Sequence, residues 1–199
     1  MTERSELRRK LRASRAALPA GLRARAAQRV AVHLLRLRSL RPGARVAVYL
    51  ATGSELPTAP LIAALLRRGC IVAAPRIRSA RNAAMDFVVV SSARLRRNAL
   101  GLLEPRDGPR VGARWLNVVL LPLLAFDARG ARLGSGRGYY DRAFAFRRQR
   151  RHWRGPLLLG IGFAAQELPN IELQAHDVRL DGVVTERQLR RFTPYNAPP

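Results

Sequence analysis

Apolar and polar positions along the chain follow two different periods. Over residues 3–18, Leu7, Leu11 and Leu18 recur at spacings of four and seven, which predicts a helix that Pro19 ends. A second helix is expected from about Pro19, with Leu22, Ala26, Val30 and Leu34 on one face and arginines opposite. Past Pro42-Gly43 the period shortens. Residues 45–51 (RVAVYLA) read as a strand, residues 58–68 as a helix stopped by Gly69, and residues 70–76 (CIVAAPR) as another strand. Two strands joined by a helix form a crossover unit, which parallel pairing requires. Further strands are expected at residues 85–90, 117–121 (NVVLL, apolar enough to be covered on both faces), 157–161 and 182–185, with a helix over residues 139–150. This alternation implies an α/β fold: three α/β/α layers around a mostly parallel sheet, in a single domain over residues 1–199. The tail after Phe192 is expected to be loose.

Composition narrows the class. The 199 residues hold 37 Lys plus Arg against 13 Asp plus Glu, a formal charge of +24, with 48% apolar residues and one cysteine. That apolar content argues against disorder, and an unpaired Cys70 excludes a disulfide framework. The longest apolar stretch, residues 118–126, is broken by Pro122 and falls short of the ~20 residues a membrane span needs. No secretory signal is present, and Glu3 and Glu6 speak against a transit peptide, so a reducing cytoplasm is the expected location. The charge first suggests a polyanion. However, Lys10 is the sole lysine, the arginines lie in at least five separate segments, and no run interleaves them with aromatics. Nucleic-acid binding is therefore not expected, and most arginines should be solvated.

Candidate chemistry concentrates after the strand at 117–121, where a parallel sheet binds its ligands. There Arg132-Leu133-Gly134-Ser135-Gly136-Arg137-Gly138-Tyr139-Tyr140-Asp141 carries three alternating glycines, which let backbone N–H groups crowd round an anion. Arg132 and Arg137 offer planar forks for phosphate oxygens, and a following helix start would add partial positive charge. Neither G-x-G-x-x-G nor G-x-x-x-x-G-K-[ST] is present, so a plain turn stays open as a reading. Asp141, directly after the loop, is placed to hold Mg²⁺ or simply to interact with a helix dipole. Asp177 and Asp181 lie near the chain end. Glu55 follows the first strand, in the ligand zone or as a helix-start carboxylate. His33 and His152 read as structural or exposed and Cys70 as a small buried hydrophobe. No Ser-His-Asp order and no zinc spacing occurs.

Several blocks in order resemble the 5-formyltetrahydrofolate cyclo-ligase (5,10-methenyltetrahydrofolate synthetase) family. They are Arg4-Ser5-Glu6-Leu7-Arg8, the turn through Glu55 with Pro60-Leu61-Ile62, the Glu104-Pro105 turn, the block from Phe126-Asp127 to Tyr139-Tyr140-Asp141-Arg142, and His176-Asp177-Val178-Arg179-Leu180-Asp181. The resemblance implies a ligase of one-carbon metabolism. With ATP as cosubstrate and Mg²⁺ as cofactor it would convert 5-formyltetrahydrofolate to 5,10-methenyltetrahydrofolate, releasing ADP and phosphate. On the same basis Arg4 (where the family usually has lysine), Arg8 and the loop Arg132, Leu133, Gly134, Ser135, Gly136, Arg137, Gly138, Tyr139 and Tyr140 would hold ATP. Leu50 and Glu55, with Ser135, Gly136, Arg137, Gly138 and Tyr139, would hold the folate. Arg137 and Tyr140 would serve the chemistry, and Asp141 and Asp177 the metal. The expected partners are these small molecules, the folate with or without a polyglutamate tail, and no membrane; the chain is expected to act as a monomer. Two rivals are a basic RNA-associated protein without catalysis and a sugar-phosphate isomerase or CoA-transferase relative.

Overall fold

Five strands running in one direction form the middle of the structure. The computed structural model describes residues 3–90, 94–149 and 155–192. Within them the chain runs α1 (Glu3–Ala16), α2 (Ala20–Leu35), β1 (Arg45–Val48), α3 (Ala59–Arg67), β2 (Ile71–Ser79), β3 (Ala84–Val89), β4 (Leu95–Arg97) and β5 (Leu103–Pro105). It continues through β6 (Arg110–Val111), β7 (Val118–Pro122), β8 (Ala125–Phe126), β9 (Arg132–Leu133), α4 (Tyr139–Ala143), β10 (Leu157–Ile161), β11 (Gly182–Val184) and β12 (Leu189–Arg191). The main sheet has the order β12-β11-β10-β7-β1-β2-β3-β6. The neighbours from β11 to β2 are parallel, and β12, β3 and β6 extend the edges antiparallel. The expected α/β class with a mostly parallel central sheet is the observed one.

Side-chain alternation along the strands divides the core into two faces. Val46, Val48, Val118 and Leu120 pack with Val30 and Leu34 of α2 and Leu61 and Leu65 of α3. Ala47, Val119, Leu121 and Leu158 pack on the other side with Phe87, Phe126 and Phe144. The second helical layer is thin. The helix expected over residues 139–150 ends at Ala143 and tightens into a 3₁₀ turn over Ala145–Gln149. Phe144 and Phe146 both join this core face, with ring centroids 6.1 Å apart. Residues two apart cannot share a face of an α-helix, so the backbone changes pitch between them. Position 150, His152 and the tail after Phe192 lie outside the described residues.

Other boundaries move for similar local reasons. The first strand stops at Val48, because Tyr49 and Ala51 turn away to bond Thr58: its hydroxyl donates to Tyr49 O (2.8 Å) and accepts from Ala51 N–H (3.2 Å). The strand expected at 70–76 runs on to Ser79 because β3 pairs along its outer half. The leucine stripe of α1 does not bury the helix: Leu7 is 37% exposed and no residue of α1 is fully buried. Two hairpins, β4–β5 and β8–β9, and the edge strands β6 and β12 had no periodic signal, being only two or three residues long.

Phe144 is fully buried, 5.7 Å from the Phe87 ring, in the thinner layer. Phe144→Ala is expected to cost about 3–5 kcal/mol, read from urea unfolding followed by circular dichroism. A loss below ~1 kcal/mol would mean that this layer can collapse over the gap.

Candidate active site

The segments leaving β1 and β7 and the loop ahead of α4 line a cavity of about 300 Å³ at the carboxyl edge of the parallel strands. Helix α1 contributes Arg4, Arg8, Arg12 and Arg15 to the same wall. At 3.6 residues per turn these four side chains lie within about 80° of one another, a single stripe. The stripe docks the helix. Arg8 Nε donates to Gly134 O at 3.1 Å and Arg12 Nη2 to Ser135 O at 3.0 Å. Arg15 donates to Ser54 Oγ at 3.1 Å and Leu123 O at 3.3 Å. Burial, then the neighbouring Arg4 and Arg12 charges, lower the Arg8 pKa, and burial likewise lowers that of Arg15. Gathering like charges in one stripe leaves the cavity in want of an anion.

The glycine loop supplies donors for one. Gly136, with φ +98°, lies beneath Arg8, and a Cβ there would sit 3.3 Å from the guanidinium carbon. Gly138, in the left-handed region at φ 68°, turns the chain into α4. Among the described residues, the N–H groups of Ser135, Gly136, Arg137 and Gly138 meet no protein acceptor. Tyr139 Oη and Arg132 Nε are buried without a protein partner and belong to residues of the cavity wall. Buried polar atoms of this kind ask for a ligand. Because α4 is only five residues long, these N–H groups matter more than the helix dipole that the sequence suggested.

Two carboxylates sit in the same wall, each on an arginine. Arg132 Nη2 donates to Asp141 Oδ1 at 2.8 Å, and Val178 N–H to the same oxygen at 3.1 Å. Arg4 Nη2 donates to Asp177 Oδ2 at 3.0 Å, an oxygen that also accepts Gln174 N–H at 3.0 Å. Asp141 Oδ2 has no protein partner among the described residues, and Asp177 Oδ1 has His176 Nε2 at 3.7 Å. No group of three or more His, Cys, Asp or Glu able to hold a metal by itself occurs among the described residues. Two carboxylates do suit Mg²⁺, which commonly takes one or two of them and completes its shell with water and substrate phosphates.

Farther in, Tyr49, Glu55 and Tyr140 meet. Glu55 accepts Thr52 N–H at 2.9 Å, and burial raises its pKa against the pull of that bond and of Arg15. It lies four residues ahead of α3, so it closes a turn and is not a helix-start carboxylate. Burial, with Glu55 adding to it, pushes both phenols up, and Tyr49 Oη donates to Leu56 O at 3.1 Å. Both tyrosines remain protonated at neutral pH.

Comparison with known proteins decides the family. Residues 1–186 match the model of the 5-formyltetrahydrofolate cyclo-ligase family. The chain is 28% identical over 183 residues to the 5-formyltetrahydrofolate cyclo-ligase of Haemophilus influenzae, covering 89% of this chain and 95% of that one. It is 28% identical over 191 residues to the mouse (Mus musculus) enzyme of the same name, at 92% and 91% coverage. The solved structure of 5,10-methenyltetrahydrofolate synthetase from Aquifex aeolicus superposes with a TM-score of 0.82 at 28% identity, covering 100% of this chain and 97% of that one. The chain belongs to the 5-formyltetrahydrofolate cyclo-ligase family.

Most residues that the family resemblance singled out come together in the cavity wall: Arg4, Arg8, Leu50, Glu55, Arg132, Gly134, Ser135, Gly136, Gly138, Tyr139, Tyr140, Asp141 and Asp177. Two do not. Leu133 is 1% exposed and packs in a separate apolar cluster with Ala125 and Ile171. Arg137 is exposed outside the wall, and its carbonyl accepts Arg142 Nη1 at 3.1 Å. Asp181 is structural, bonded to Arg147 at 2.8 Å and Leu158 N–H at 2.7 Å. The sequence reading missed Arg12, Arg15, Tyr49 and Glu104 in the wall. The spacing 4, 8, 12, 15 was the available signal for the first two, hidden in a chain with arginine everywhere.

Burial raises the Glu55 pKa, so the charged carboxyl costs stability above its folded value, and that cost disappears as pH falls below the unfolded value near 4.5. Glu55→Gln is therefore expected to melt no lower than wild type at pH 8, with any advantage fading toward pH 4. A clearly lower melting temperature at pH 8 would mean that the carboxylate serves the Thr52 turn.

Proposed function

We propose that this protein closes the formyl group of 5-formyltetrahydrofolate onto N10, giving 5,10-methenyltetrahydrofolate, while ATP becomes ADP and phosphate. The observation that supports this best is one cavity with arginines and free backbone N–H groups at one end and apolar side chains at the other, in a chain of this family. The formyl oxygen takes the γ-phosphoryl group of ATP. N10 then attacks the formyl carbon, the oxygen leaves as phosphate and takes up the proton that N10 gives up, so the ring closes without a nucleophile from the protein. Phosphoryl transfer of this kind needs positioning and charge neutralisation, and neither a triad nor a reactive cysteine.

In this reading Arg4, Arg8 and Arg132 grip phosphate oxygens, and the backbone of Gly134, Ser135, Gly136, Arg137 and Gly138 donates to them. Leu133 holds the loop from below through its buried side chain. Arg137 comes to the phosphates from the exposed rim. Tyr139 and Tyr140 donate hydroxyl hydrogen bonds to reacting oxygens, Tyr140 staying protonated because burial raises its pKa. Leu50 and Glu55 face the folate, the carboxylate accepting from the two N–H groups on the pterin edge. Asp141 and Asp177 would hold Mg²⁺, which would supply charge neutralisation at the phosphates. These carboxylates are paired with Arg4 and Arg132, so the same side chains would serve both the cation and the phosphates. The chain acts as one domain over residues 1–199 and as a monomer. No helix among the described residues is long and apolar enough to cross a membrane, and we place the reaction in the cytoplasm, where a single buried Cys70 would stay reduced. Polyglutamate tails would be drawn by the basic surface, and nucleic acid is not a partner in this reading.

The direct test mixes protein, ATP, Mg²⁺ and 5-formyltetrahydrofolate and follows the absorbance of methenyltetrahydrofolate. Product without ATP consumption, or no product, would overturn the reading. Asp141→Asn keeps an acceptor for Arg132 and Val178 N–H but removes the charge. It should lower kcat on the order of 100-fold with the circular dichroism spectrum unchanged, and near-wild-type turnover across a magnesium titration would remove Asp141 from the metal.

Arg137→Ala should raise the ATP KM about tenfold, the ~1.5 kcal/mol of one charge-assisted hydrogen bond. Unchanged ATP kinetics at saturating folate would leave Arg137 a solvated rim residue.

A further inference from the structure

Glu104 is a carboxylate that the reaction above does not use, yet it is 2% exposed and belongs to the cavity wall. It stands on β5, opposite Arg96 of β4. Four hydrogen bonds converge on it. Arg96 donates to Oε1 through Nε at 3.1 Å and Nη2 at 3.0 Å. Ile77 N–H at 3.0 Å and Asn98 Nδ2 at 2.9 Å donate to Oε2. A carboxylate met on both oxygens by charge-assisted and backbone donors is held in one orientation.

Ile77 comes from outside the hairpin. β1 pairs with β2 as far as Ala73, and Ile77 lies beyond that point. There the β2 N–H meets the hairpin's carboxylate where a neighbouring strand would otherwise accept it. Glu104 thus latches the β4–β5 hairpin to the main sheet. The latch has a consequence for the cavity, because Leu102 and Leu103 of the hairpin join Pro75, Ile77 and Met85 of the sheet in its apolar part. None of these five can serve phosphate.

We propose that Glu104 is a positioning residue for the folate: by fastening the hairpin to Ile77 it completes an apolar slot for the flat ring portion of the substrate. This rests on the function proposed above. Glu104 sets folate affinity and leaves ATP alone, because the phosphate end of the cavity is built from α1 and the glycine loop.

Glu104→Gln is the test. The amide keeps the shape, but its NH₂ must face either the Arg96 fork or the Ile77 and Asn98 donors, so one side of the latch opens. The expected result is a folate KM raised about tenfold to a hundredfold, with kcat and the ATP KM within about threefold of wild type. Equilibrium binding of 5-formyltetrahydrofolate without ATP should weaken by the same factor. Arg96→Ala, at a side chain 53% exposed, is the second variant and should raise the folate KM about fivefold, with Arg96→Lys recovering part of it. A folded Glu104→Gln protein with an unchanged folate KM, or with both KM values raised equally, overturns the latch. Should that variant fail to fold, an unchanged folate KM in Arg96→Ala overturns it. An inactive wild type overturns the function and the latch together, whereas an active wild type with unaffected variants overturns the latch alone.

Discussion

Parallel pairing at the centre of the sheet sets the position of everything in the cavity. Val46 lies beside Val72 and Val118, and Val118 beside Leu157, so the strands end together and the segments leaving them emerge at one edge. The turn with Thr52 and Glu55 leaves β1, and the run through Leu123 leads from β7 to the glycine loop. An antiparallel centre would send alternate connections to opposite edges. Glu55 and Tyr140 stand more than eighty residues apart in sequence and interact only because of this register.

Charge governs the next level. Helix α1 buries no residue completely, and what fastens it is a stripe of guanidinium groups reaching Asp177, two glycine-loop carbonyls, Ser54 and Leu123. The same groups crowd one another: burial first, and then the Arg4 and Arg12 charges, lower the Arg8 pKa. Hydrogen bonds to neutral carbonyls offset only part of that repulsion, and a polyanion in the cavity relieves more of it. In the function proposed above, Arg4 and Arg8, which help dock the helix, also face the phosphates.

Periodicity and composition made the fold class, the strands at 117–121 and 157–161, the two long helices and the glycine loop legible in the chain itself, because these are local properties of side-chain pattern and backbone freedom. The site residues in the loop were legible for the same reason: three alternating glycines ahead of two tyrosines and an aspartate form a contiguous signal. What tertiary structure alone decided is of another kind. It turned Leu133 into the core, left Arg137 on the rim, and gave Asp141 and Asp177 an arginine each. It also chose Arg12 and Arg15 from an arginine-rich background and latched a hairpin with no periodic signal through Glu104. Those outcomes depend on which distant groups meet, and no period along the chain encodes a contact between residues 4 and 177 or between 77 and 104.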